Sequence, residues 1–263
     1  MFANLAQLTT PSYIHRPYVD ATPAVAEARV GNAWQTVLVS GMGGGAQGLF
    51  ALNVSDPASV GTGNVLWEFT DKDDADMGNV MSPPQIVKLF AMTGNGLNAN
   101  DADGASNPAA PSVLLIVALD KPAGTPWQLG VNYWKISMAA DATASIANGL
   151  SSPALVRLTD GQTVAAYAGD LQGRLWKFIL NGGPSTWNAA GALPYYGGGN
   201  YGRPLFQARD ASGKPQPITG GGRSGGASLS SRPLVSGNTA TDGGHPATGR
   251  LGWREIRNFG AAQ

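Results

Sequence analysis

The chain has no cysteine and only two histidines, His15 and His245, and just 13% of its 263 residues are charged. The absent thiols remove disulfides, thiolate metal sites and cysteine nucleophiles together. With so few histidines, both in loop-like sequence, the common acid–base pairings are scarce, and no Gly-x-Ser-x-Gly elbow supplies a nucleophile. Lys+Arg 17 balances Asp+Glu 17, so the basic surplus of a nucleic-acid binder is missing. No apolar run approaches the length of a membrane helix, and no long stretch holds the apolar period of 3.6. Met1–Leu8 also lacks the basic and apolar regions of a secretory signal, so none is expected there.

Glycine and turn chemistry are abundant: 37 Gly and 18 Pro. Heavy punctuation without helical periodicity favours many short strands, and the fold class expected is all-β. The most informative stretch is Ala168-Gly169-Asp170-Leu171-Gln172-Gly173-Arg174-Leu175-Trp176-Lys177-Phe178, a strand, a tight Asp/Gly turn and a returning strand. Gly173 takes a positive φ in that turn without steric cost. A cousin lies upstream, where Trp34–Val39 leads through Gly41–Gly45 into Gly48–Val54. A second motif recurs: Ser or Thr, Pro, then an aliphatic pair, at Pro23, Pro83 and Pro153, with a weaker copy at Ser231-Arg232-Pro233-Leu234-Val235. Proline has no N–H, so it belongs at the first residue of a strand, where no ladder bond is lost.

After each of the first three copies comes a strand (Thr36–Ser40, Val113–Leu119, Thr163–Ala168), then an aromatic cluster centred on Trp67, Trp134 or Trp176. Antiparallel units repeated with loop insertions read as a β-propeller, here incomplete, with about four recognisable blades. The alternative is a large β-sandwich. Residues 1–220 form the expected partial propeller, and 221–263 a Gly/Ser-rich diverged tail expected to be poorly ordered. Ala91–Pro111 and Gly182–Gly202 read as inserted loops. The aromatics (Trp67, Trp134, Trp176, Tyr133, Phe178) are expected between blades rather than on a ligand.

Candidate chemistry is thin. Gly41–Gly48 lacks the Lys-Ser/Thr ending of a phosphate loop and precedes a strand, so it reads as a hairpin link. Hard cations need several converging oxygens. Asp71, Asp73 and Asp76 could offer them, against the plainer reading of a solvated turn. Asp101 and Asp103 sit like third and fifth ligands of a calcium loop with Gly104 sixth, yet Ala99 and Ala110 occupy the first and twelfth places. Only weak calcium binding is expected there.

Several longer runs together carry a resemblance. They are Tyr18–Val25 with Trp34–Val39 and Phe50–Pro57, Val65–Asp71 with Asp73–Asp76, Gly149–Pro153, Ala168–Phe178 and Gln216–Thr219. Over residues 5–220 the chain resembles the type IV pilus tip-associated adhesins, the PilC/PilY group. The resemblance implies a piece of the C-terminal β-propeller of a larger surface protein that promotes pilus assembly, opposes retraction and supports adhesion and twitching motility. Its implied partners are minor pilins or the pilus tip complex and a host or abiotic surface, and its implied place is the pilus tip or bacterial cell surface. It implies no enzymatic activity. Some members carry a calcium loop, Asp-x-Asp-x-Asp-Gly, just before the Ala-Gly-Asp-Leu-Gln-Gly turn. Here the matching stretch, Arg157–Thr163, keeps only Asp160, so tight calcium binding is not expected. The propeller of this family is similar in shape to those of quinoprotein dehydrogenases. That alternative needs charged ligands for pyrroloquinoline quinone around the axis, and no such set is visible, so the quinone is not expected.

Overall fold

The computed structural model describes residues 2–99, 111–138, 147–180, 182–183 and 204–220. Among the described residues twelve strands form three four-stranded antiparallel meanders, each in simple sequence order. The first blade comprises β1 (Ala24–Val30), β2 (Ala33–Gly41), β3 (Gly48–Asn53) and β4 (Val65–Thr70). The second comprises β5 (Gln85–Val87), β6 (Phe90–Gly94), β7 (Val113–Ala118) and β8 (Tyr133–Ser137). The third comprises β9 (Ala154–Arg157), β10 (Thr163–Gly169), β11 (Arg174–Ile179) and β12 (Phe206–Gln207). No α-helix occurs among the described residues; a 3-10 turn, Gly43–Gly45, carries the β2–β3 link. The architecture is the expected β-propeller, with three blades in view. The fourth proline-led start, Ser231–Val235, and the tail 221–263 lie outside the described residues.

The proline rule explains where each blade begins. Pro23 and Pro153 immediately precede β1 and β9, and Pro83-Pro84 precede β5, so no ladder donor is lost inside a sheet. The turn at Gly173 (φ 78°) closes the β10–β11 hairpin, with Gly173 N–H donating to Asp170 O at 3.1 Å. Two expectations need correction. Ala91–Gly94 is not loop but most of β6, pairing with both β5 and β7. Trp176 is not the counterpart of Trp67 and Trp134: those stand on fourth strands, whereas Trp176 stands on β11, a third strand. The real outer strand of the third blade is the two-residue β12, which no sequence periodicity could announce.

β7 shows why the blades stack. Its six residues, Val113–Ala118, are all buried. Val113, Leu115 and Val117 join a core with the first blade's Val37, Val39, Leu49 and Phe69. Leu114, Ile116 and Ala118 join a core with the third blade's Ala166, Trp176 and Phe178. A strand covered on both faces reads as a continuous apolar run rather than an alternation. The expected inter-blade role of the aromatics holds: Trp67, Trp134, Trp176, Tyr133 and Phe178 are all buried. Trp67 Nε1 also donates across the seam to Leu119 O at 3.3 Å.

Candidate functional site

The segments that lead into the second and third blades pack on the end of the preceding blade's second strand. The acidic run after β4 sits at the outer part of the first seam. Asp74, buried, accepts from Tyr133 Oη at 2.9 Å and from Lys135 Nζ at 2.9 Å. The same Lys135 Nζ reaches Asp76 Oδ2 at 2.7 Å. Two β8 side chains are thus tied to the turn that follows β4, and the first and second blades are latched together.

Burial, then the hydrogen bond to Asp74 and the nearby carboxylates, pushes the Tyr133 hydroxyl well above its usual value. Burial by itself would lower the Lys135 ammonium; hydrogen bonds to Asp76 and Asp74 and their attraction outweigh it and hold it above 10.5. Both groups keep their protons more tightly in the folded chain, so their stabilisation is complete below about pH 10 and drains away as pH rises through the raised folded values. Urea midpoints should therefore fall from pH 10 upward, and Lys135→Met with Tyr133→Phe should flatten that fall. At pH 7 Lys135→Met should cost about 2 kcal/mol, the scale of hydrogen bonds to a charged group. A midpoint equal to wild type at pH 7 would count against the latch.

The carboxylates singled out in the sequence do not converge. Asp73 Oδ2 accepts from Thr70 N at 2.8 Å and Thr70 Oγ1 at 3.1 Å, closing its own turn. Asp76 is held by Lys135, and Asp71 stands half-buried at the start of the turn. Asp160 lies in the exposed β9–β10 turn, at the other end of the blades, where Oδ1 accepts from Gln162 N at 2.9 Å. Asp101 and Asp103 lie outside the described residues. Among the described residues no three His, Asp or Glu side chains gather as a metal site. The described carboxylates do not fit calcium, which needs six to eight oxygens around one point. The sequence reading missed Asp74, the one acid of that run that is buried, because its partners lie 59 and 61 residues further on.

A second buried charge lies inside the third blade. Asp170 is fully buried and holds Arg174 N at 2.8 Å, Arg174 Nε at 2.9 Å and Trp176 Nε1 at 2.8 Å. Its backbone accepts from Ile218 N at 3.0 Å, fastening the segment that leaves the third blade.

The lead-in segments Asn79–Ser82, Gly149–Ser152 and Ile218–Thr219 converge on a cavity of about 350 Å³, whose other lining residues include Thr93, Leu97 and Leu171. No titratable side chain lines it. Inside, Thr93 Oγ1 lies 3.3 Å from Ser152 Oγ, and Ser152 Oγ donates to Ser82 O at 3.2 Å. Such a space offers small hydroxyls, backbone and apolar walls, but neither an acid–base pair nor a charged clamp.

Stacked four-stranded meanders, with the first seam latched by the Asp74–Lys135 ion pair, define a segment of a β-propeller. Residues 1–227 match the model of the PilY1 beta-propeller domain, and the chain belongs to that family. It is 35% identical over 242 residues to the type IV pilus biogenesis factor PilY1 of Pseudomonas aeruginosa (strain UCBPP-PA14), covering 83% of this chain and 19% of that protein. It is 34% identical over 232 residues to a PilY1 homolog of Xylella fastidiosa (strain Temecula1 / ATCC 700964), covering 83% of this chain and 14% of the relative. Among solved structures it is similar to the Pseudomonas aeruginosa PilY1 C-terminal domain, with TM-score 0.59 and 32% identity over 78% of this chain and 40% of that one. The chain therefore spans less than a fifth of these relatives' length.

Proposed function

We propose that the chain serves type IV pilus biogenesis as a binding and assembly module at the pilus tip. In this reading the loops at the blade ends contact minor pilins, and a host or abiotic surface, so that the module supports adhesion and twitching motility without catalysing a reaction. The match of residues 1–227 to the PilY1 beta-propeller domain carries the proposal, since the relatives that share it are named as pilus biogenesis factors. The uncharged cavity among the lead-in segments supports a binding role over an enzymatic one. The test is a chimaera in which residues 1–227 replace the matching stretch of Pseudomonas aeruginosa PilY1. Sheared surface pili and twitching zones should persist at levels near those of the parent strain. A chimaera that is exported and protease-resistant but gives bald cells would overturn the reading.

A further inference from the structure

The connection between β7 and β8 of the second blade, residues 119–132, packs back on the first blade. Its Trp127 ring stands edge-on to Trp67 and Phe69, with centroids 5.5 and 5.2 Å apart, and its Nε1 donates to Glu68 O at 2.7 Å. Trp67 in turn donates to Leu119 O, where the connection begins. The first seam is thus wedged by a tryptophan delivered from the link between the second blade's third and fourth strands.

Strand registers carry this arrangement to the next seam. Gly41–Leu49–Phe69 and Gly94–Leu114–Ile136 occupy the same places across the second, third and fourth strands, so Trp67 and Trp134 are counterparts. Trp134 is 6% exposed, and its indole Nε1 has no hydrogen-bond partner among the described residues. The Phe90 ring stands edge-on to it, with centroids 5.6 Å apart. Together with Leu89, Ala118 and Val131 these rings wall a cleft of about 720 Å³. Such a cleft calls for an apolar, uncharged occupant. Lys121 Nζ on its wall is already spent on Thr125 O at 2.8 Å and Pro122 O at 3.3 Å, and Asp120 is exposed.

The matching connection in the third blade runs from β11 to β12, residues 180–205. Leu114 and Leu175 hold equal places opposite Gly94 and Gly169, so Leu180 answers to Leu119. The backbone agrees: Leu119 N donates to Leu89 O at 2.9 Å, and Leu180 N to the equivalent Val164 O at 3.0 Å. Beyond these leucines the two connections read alike. One carries Gly124-Thr125-Pro126-Trp127-Gln128, the other Gly183-Pro184-Ser185-Thr186-Trp187-Asn188, and each holds a single tryptophan followed by a side-chain amide. Residues 184–203 lie outside the described residues. We propose that this segment occupies the cleft, with Trp187 set against Phe90 and Trp134 as Trp127 is set against Phe69 and Trp67. Edge-to-face aromatic contacts add to the area such a ring buries. The stretch that reads as an inserted loop is then a wedge between the second and third blades.

The absence of native cysteine makes the contact directly testable. Val131 lines the cleft and is 61% exposed. A short bis-maleimide should join Val131→Cys to Asn188→Cys within one chain, with a yield about ten-fold above that of a Val60→Cys/Asn188→Cys pair, because proximity raises effective concentration. Val60 is the control because it stands on the first blade's β3–β4 link. Equal yields overturn the proposal. So do links that form only between chains, which would put a second copy in the cleft. Trp187→Ala should lower the melting midpoint by about 6 °C or more, the scale of an aromatic removed from a packed site, and Trp187→Phe should lower it less. With Phe90→Ala added, the fall should be smaller than the sum of the two single falls, since each variant already breaks the shared contact. A Trp187→Ala midpoint equal to that of the parent, or a strictly additive pair, overturns the proposal. The cross-linked pair keeps Trp187 and decides the matter where Trp187→Ala does not fold.

Discussion

Asp170→Asn should cost about 3–5 kcal/mol, the scale seen when one member of a buried ion pair is removed. The substitution keeps the size of the side chain and changes only its charge and donors. Asp170 is acceptor-only, and its oxygens take three N–H groups, two from Arg174 and one from the Trp176 indole. An amide turns one of its ends into a donor facing donors. It also leaves the Arg174 guanidinium, whose side chain is only 10% exposed, without a counter-charge. A domain is stabilised by only about 5–15 kcal/mol, so such a loss takes much of the margin. The urea midpoint should drop sharply with an unchanged slope, reporting stability rather than compactness. Adding Arg174→Met to Asp170→Asn should recover part of the loss, because the orphaned charge leaves with its partner. A single variant that loses under about 1 kcal/mol would show the pair to be solvated in solution, as exposed pairs are.

That same turn marks how far the sequence can be read. Asp170-Leu171-Gln172-Gly173 announces itself because the requirement is local: a positive φ at Gly173 and a carboxylate beside the hairpin it closes. The blade starts are legible for the same reason, since proline's missing N–H restricts it to strand beginnings whatever lies around it. What the sequence hides is decided by distant partners. The run Asp71–Asp76 looks like a cation site when read alone. Only folding brings Tyr133 and Lys135 to Asp74 and turns the cluster into a seam latch. Trp176 misleads because an aromatic within alternating neighbours looks alike on a third or a fourth strand. The two residues of β12 that settle the matter carry no period at all.

Gly94→Ala should be among the most damaging of the conservative changes, with a loss at or above the ~3 kcal/mol top of the usual overpacking range. Its backbone lies outside the left-handed region, so alanine's conformation costs nothing and only space is at issue. A Cβ there would stand 2.2 Å from Leu150 O and 2.3 Å from Ser151 O. Those atoms are backbone of the segment that leads into the third blade, held in turn by Ser151 N donating to Gly169 O at 2.9 Å. They cannot give way as the tip of a side chain could. The same conflict recurs at the equivalent glycines: at Gly41 a Cβ would lie 2.1 Å from Val80 O, and at Gly169 it would lie 2.6 Å from Ile218 O. Each described blade's second strand therefore ends in glycine because the segment that leaves the blade crosses it in near backbone contact. Gly63→Ala is the control, since a Cβ there meets nothing within 4 Å and should shift stability by well under ~1 kcal/mol. Thermal unfolding of the two variants side by side checks the idea. A Gly94→Ala midpoint equal to that of Gly63→Ala would mean that the seam between the second and third blades is looser than these distances require. A steep loss confined to Gly94→Ala would establish that seam as a backbone-to-backbone joint, which makes inter-blade spacing, rather than any one side chain, what keeps these blades in register.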